Sequence, residues 1–293
     1  MNDCVRIVAV TVESKPAEVD GNLQLIDRSC RAAARDGADV VLFPELSLSG
    51  FLPNHPTKNH EDWLRVAIRE VSRMAEPLDG DAVRGLVEIS RRYDLFVSAG
   101  FVEDGDNLRY NTQVVVGPDG LVGRWRKMHI PMFEAPFFDG GDPPVVAQTD
   151  VGRIGVNICF DVLMPESTRL LAVNRAEIVL MPFAADPPPV TPKGWSDWAR
   201  PAICARCVEN GVFGVAVNYV GHVRLVGVEQ AFPGGGVAIG PDSSCLAEWT
   251  GAAGQASTLS VDLERDLLVD ARARPEYLFR CRRPELYKAL SSS

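Results

Sequence analysis

The stretch VGRIGVNICFDVLMPE, residues 151–166, passes from an apolar strand pattern into a cysteine, then an acid, a proline and a helix-like run. Ile154, Val156 and Ile158 recur at every second position, the period of a strand that buries one face. A helix over 165–175 follows. Cys159 therefore stands where a buried strand at 153–158 gives way to a helix, and strands feeding helices are the units of layered α/β architecture.

Upstream the same alternation holds. VRIVAVTV (5–12) reads as a strand, and residues 18–37 carry apolar residues at helical spacing and stop on Gly37, a good C-cap. ADVVLFPE (38–45) reads as a buried strand, 61–76 and 80–93 as helices, and LFVSAGFVE (95–103) as a strand. YNTQVVVGPDGLVGRWRK (110–127) is two strands joined by the turn GPDG. A long irregular loop, MHIPMFEAPFFDGGDPP (128–144), comes next; loops of that length inside a compact domain are commonly functional.

Downstream lie strands at VVAQT and GRIGVNI, the strand AEIVLMPFA (176–184), a helix over 194–210 and the strand VFGVAVNYVG (212–221). A second turn, GPDSS (240–244), sits in a strand-rich region, and an extended tail is expected from about 263. The order strand, helix, strand, hairpin occurs at 38–127 and again at 176–249. An α/β protein with two sheets face to face and helices outside satisfies this two-fold echo.

The 293 residues are 46% hydrophobic and 24% charged, with mean hydropathy near zero, which is ordinary for a globular protein. No linker composition divides the chain, so one domain is expected over 1–262, with 263–293 as a tail. A net charge of −9 argues against a nucleic-acid partner, which needs clustered Lys and Arg. The basic RCRRPELYK (280–288) is short and reads as a solvated or interfacial tail. No signal peptide and no membrane span is read. Seven cysteines at irregular spacings imply reduced thiols and a cytoplasmic location.

Three positions carry chemistry, each with two readings. Cys159 is either an inert buried thiol or a nucleophile that helix N–H groups bias toward thiolate, with the N–H of Phe160 placed for an oxyanion. Glu45, after an apolar run and a proline, is either a solvated strand end or a shielded general base. Lys127 is either a surface lysine after a hairpin or a fixed positive charge beside sulfur and oxyanion. Glu134, in the same loop, can orient Lys127 or the substrate.

Together the three stretches are far more specific than any one. FPELSLSGF (43–51), GRWRKMHIP (123–131) and GVNICFDVLMPE (155–166), in that order, resemble the glutamate, lysine and cysteine motifs of the nitrilase or carbon–nitrogen hydrolase superfamily. ARCVENGVFGVAVNYVG (205–221), GGGVAIGPDSSCLAE (234–248) and RRPELY (282–287) are similar too, so the resemblance covers nearly the whole chain.

The resemblance implies a four-layer αββα sandwich with two central mixed sheets. It also implies Cys159 as nucleophile, Glu45 as base, Lys127 and the Phe160 N–H at the oxyanion, and Glu134 as a supporting acid. The expected reaction cleaves an amide or N-carbamoyl C–N bond through a thioester, without metal or organic cofactor. Nitrile hydrolysis and acyl transfer are alternatives on the same site, and a silent scaffold is the non-enzyme alternative. A homodimer or larger assembly, paired through helices near the cysteine and the tail, is expected.

Phe160–Asp161 in place of a Trp-Glu pair resembles the amidase and carbamoylase branches. Val162, Leu163 and Met164 stand where carbamoyl-amino-acid hydrolases carry an arginine, which favours a neutral, apolar or cationic substrate. Phe51, Phe133, Asp186 and Trp195 are the expected pocket residues; Trp198, Phe137 and Phe138 are further ones that packing alone also explains. CARC (204–207) has redox-motif spacing but falls within a helix. His129 is expected to be a loop hydrogen-bonder.

Overall fold

The computed structural model describes residues 1–53 and 58–291. Its first half contains β1 (Cys4–Val10), α1 (Val19–Arg35), β2 (Val40–Leu42), α2 (His60–Met74), α3 (Asp81–Tyr93), β3 (Phe96–Gly105), β4 (Leu108–Gly117) and β5 (Gly120–Arg126). The second contains β6 (Ala147–Thr149), β7 (Gly152–Val156), α4 (Pro165–Val173), β8 (Ile178–Phe183), α5 (Pro192–Asn210) and β9 (Phe213–Asn218). β10 (Val220–Leu225), β11 (Val228–Pro233), β12 (Gly236–Ile239), β13 (Cys245–Trp249), β14 (Thr258–Glu264) and α6 (Arg265–Ala273) complete it.

Two six-stranded mixed sheets form the centre, in the orders β14-β1-β2-β3-β4-β5 and β13-β12-β9-β8-β7-β6. In each, three neighbouring strands run parallel (β1-β2-β3 and β7-β8-β9), and antiparallel strands extend both sides. The two-fold echo in the sequence is thus a repeated sheet topology. Period-two patterning decides what each face meets: Val5, Ile7 and Ala9 join the core between the sheets, whereas Val8 and Val10 face the α1/α3 layer. On the other side, Trp195, Ala199, Ile203 and Cys207 of α5 cover the second sheet.

Local chemistry sets the helix ends. α1 buries Ile26, Cys30 and Ala33 at helical spacing, and Gly37 beyond it takes a left-handed φ of 74°. In α5, Pro192 begins the helix, the Thr191 hydroxyl accepts the Gly194 N–H at 2.9 Å, and Gly211 ends it with φ 59°.

Three expectations are corrected. β2 spans Val40–Leu42 and not 38–45, because the chain turns from residue 45 onward. The strand expected over 212–221 divides at the fully buried Tyr219, and β10 pairs with β11 in a separate two-stranded sheet that packs with α2. The chain is not extended from 263: β14 pairs with β1, and α6 follows directly. Among the described residues, no helix is long and apolar enough to cross a membrane.

Candidate active site

The candidate residues leave the C-terminal ends of three strands. Glu45 lies in the turns after β2, Lys127 directly follows β5, and Cys159 opens a 3₁₀ turn (Cys159–Leu163) after β7. The Lys127 N–H donates to Asn111 at 2.8 Å and its carbonyl accepts from Gly141 at 2.9 Å, so both ends of its peptide unit are fixed. Cys159 (φ 48°) and Leu46 (φ 51°), beside Glu45, are left-handed non-glycine residues. Such strain costs on the order of 1–3 kcal/mol and clusters at functional sites.

The side chains converge. Lys127 Nζ donates to Glu45 Oε1 and to Glu134 Oε1, both at 2.7 Å. Asn111 Nδ2 donates to Glu45 Oε1 at 2.7 Å and approaches Glu134 Oε2 at 3.5 Å. Glu45 and Lys127 are 0% exposed, and Cys159 9%. An ammonium has three N–H donors, so Lys127 keeps one beyond its two carboxylates. Glu45 Oε2 is buried and has no hydrogen-bond partner among the described residues.

Electrostatics follow from that packing. Burial alone would lower the Lys127 ammonium, but the Glu134 and Glu45 carboxylates outweigh it and hold the lysine above its usual range. Burial pushes Glu134 up to about 7, against the pull of Lys127 and with the help of Glu45. Burial, reinforced by Glu45, also raises the Cys159 thiol well above its ordinary value; Lys127 and the Ala184 amide oppose this without prevailing. Burial and Glu45 thus work against the thiolate that the nucleophile reading of Cys159 invoked. The 3₁₀ turn opens in a buried site, and Lys127 already donates to two glutamates.

The remaining expected residues divide. Phe160 is the second residue of the 3₁₀ turn, and Phe51, Phe133, Phe137 and Phe138 gather around Glu134 with Leu52 and Pro53. They enclose a cavity of ≈ 10 Å³, room for about one water. Asp186 is half-buried, two residues past the Ala184 amide that meets the sulfur. Trp195 is fully buried, its ring edge-on to Phe183 at 5.6 Å, whereas Trp198 is 41% exposed. His129 is a loop hydrogen-bonder, to Asp161. Cys204 is half-buried and Cys207 buried in α5.

Two contributors escape a reading of the sequence. Asn111 is an amide in the buried part of strand β4, and strands are poor in asparagine. Arg206, the arginine of CARC, donates to the carbonyls of Val162 (3.0 Å) and Leu163 (3.1 Å), bracing the turn that begins with Cys159. Among the described residues, no group of three or more His, Cys, Asp or Glu is placed to hold a metal ion.

Comparison with known proteins places the chain in a family. The carbon–nitrogen hydrolase family model matches residues 5–273. The chain belongs to the carbon–nitrogen hydrolase family. It is an enzyme that hydrolyses carbon–nitrogen bonds. It is 31% identical to an (R)-stereoselective amidase from Pseudomonas sp. over 277 residues, 94% of this chain and 90% of the relative. It is 30% identical to a nitrilase from Pyrococcus abyssi over 222 residues, 75% of this chain and 77% of the relative. The crystal structure of an amidase from Nesterenkonia sp. superposes with a TM-score of 0.72 at 26% identity, covering 98% of this chain and 96% of that one. This carbon–nitrogen hydrolase thus has the αββα fold expected of it.

Proposed function

We propose that this enzyme cleaves a non-peptide C–N bond, in an amide or N-carbamoyl group, through a thioester on Cys159. The observation that carries the reading is the buried, unpartnered Glu45 Oε2 in a site with a neutral thiol: a base oxygen with a proton to take. Glu45 removes the Cys159 proton as sulfur attacks the carbonyl carbon. The third N–H of Lys127 and the Phe160 N–H receive the negative oxygen. The C–N bond then breaks as the nitrogen takes the proton that Glu45 received, directly or relayed through Glu134, so that Glu45 is ionised again as ammonia or an amine departs. Water, deprotonated by Glu45, attacks the thioester; the acid leaves and the thiol is restored.

The aromatic enclosure around Glu134, and the absence of a cation at Val162, Leu163 and Met164, favour a neutral, apolar or cationic substrate over an α-amino-acid derivative. The kinship with an (R)-stereoselective amidase supports the amide. A dimer or larger assembly is part of this reading. Leu170 and Val173 on α4, and Leu278, Leu286 and Leu290 in the tail, are exposed apolar residues that a second copy would cover. Seven free cysteines suit a reducing cytoplasm.

The test is ammonia release from a panel of primary amides, carbamoyl compounds and nitriles. Release from amides or carbamoyl compounds, abolished in Cys159→Ala, supports the reading. Turnover of nitriles alone overturns it in favour of nitrile hydrolysis, and inactivity on all three overturns it in favour of acyl transfer.

A further inference from the structure

Lys127 and Cys159 belong to different sheets, so the strand ladders fix each within its own sheet and do not set one against the other. One carboxylate spans the gap. Asp161, 2% exposed, accepts the His129 N–H at 2.9 Å on Oδ1, which also lies 2.8 Å from His129 Nδ1. Its Oδ2 meets the N–H of Met128 at 3.3 Å and that of Ile158 at 3.4 Å. Met128 and His129 directly follow Lys127, and Ile158 directly precedes Cys159.

We propose that Asp161, with His129, is a positioning residue for the reaction: it holds the Lys127 ammonium in register with the Cys159 sulfur. The inference rests on the roles of Lys127 and Cys159 proposed above. A carboxylate suits the place because four donors converge on it and both its oxygens accept. An amide turned either way puts its NH₂ against two of those donors. The displacement would pass straight to the neighbouring catalytic groups. A misplacement of about 1 Å at reacting atoms costs about 100-fold in rate.

The experiment measures kcat and KM for ammonia release from the amide the wild type turns over best, per folded protein by near-ultraviolet circular dichroism. The variants are Asp161→Asn, His129→Ala and His129→Asn. Asp161→Asn is expected to lose about 100-fold in kcat with KM little changed. His129→Ala is expected to lose about tenfold. His129→Asn, whose amide N–H can replace the ring donor, should recover most of that loss. A kcat within about twofold of wild type in both Asp161→Asn and His129→Ala overturns the proposal, as does a loss carried by KM. If Asp161→Asn does not fold, the two variants at the partly exposed His129 decide. A wild type silent on every amide, carbamoyl compound and nitrile refutes the hydrolytic reading itself and this proposal with it; an active wild type with unaffected variants refutes only the proposal.

Discussion

Lys127 Nζ lies 2.7 Å from Glu45 Oε1, while Oε2 of the same carboxylate is buried and bonded to nothing among the described residues. One oxygen is thus anchored and the other left available. A buried acceptor without a donor costs about 1–3 kcal/mol, so this oxygen is the one open to a proton in the mechanism proposed above. Asn111 adds a second donor to the anchored oxygen, which fixes the carboxylate plane without touching the free one.

Glu45→Gln should therefore remove proton transfer while leaving the site assembled, because Lys127 keeps its bond to Glu134. The expected loss in kcat is about 10²–10⁴-fold. Removing the Glu45 charge also takes away one of the causes that raise the Cys159 thiol, so its alkylation by iodoacetamide should persist, as mass spectrometry would record. A Gln variant that hydrolyses as fast as wild type would remove Glu45 from the mechanism.

The upward push of burial on the Cys159 thiol has a direct consequence for labelling. Burial raises the Cys159 thiol, whereas Cys245 and Cys281 are exposed. Near neutral pH, iodoacetate should modify Cys245 and Cys281 before Cys159. Timed alkylation followed by peptide mapping reads the order directly, and first reaction at Cys159 would mean a standing thiolate.

The three strand exits were legible because each closes a strand pattern on a chemically capable residue: Glu45 after VVLFP, Lys127 after the hairpin, Cys159 after GRIGVNI. The two-sheet architecture followed from alternation and from the repeated element order. What local patterning could not supply is tertiary. The thiol's protonation depends on burial and on a carboxylate more than a hundred residues away, not on the turn that carries the cysteine. Asn111 looks like any polar strand residue until Glu45 and Glu134 meet it. The chain leaves the second sheet at Tyr219, whose ring is buried against Phe232 of the neighbouring hairpin and against the distant Phe51.

Glu134 offers a pH signature. Its carboxyl is pushed up to about 7, chiefly by burial, so it is largely protonated below that pH and ionised above it. As the supporting acid it is competent when protonated; kcat/KM should fall through a single ionisation near 7 as pH rises. Glu134→Gln has no proton to give, so the variant should be slower, and the step near 7 should vanish from its profile. A step that survives in Glu134→Gln belongs to another group.

The arginine before Lys127 makes a prediction about stability. Arg126 donates to buried Glu103 at 2.7 and 2.9 Å and stacks over Tyr110 at 3.6 Å, while Arg124 and the Thr112 hydroxyl complete the shell. Burial by itself would raise Glu103, but Arg126, Thr112 and Arg124 outweigh it and hold the carboxyl below its ordinary 4.5. A depressed carboxyl contributes stability that is present above its unfolded value and lost as pH falls through its folded value. Glu103→Gln leaves two arginines short of a buried partner and should cost about 3 kcal/mol at neutral pH. The deficit should shrink on acidification, as the wild-type carboxyl takes up its proton below 4.5. Urea unfolding of both proteins across that range checks the sign. A deficit that stays constant with pH would mean that the loss comes from packing and not from charge.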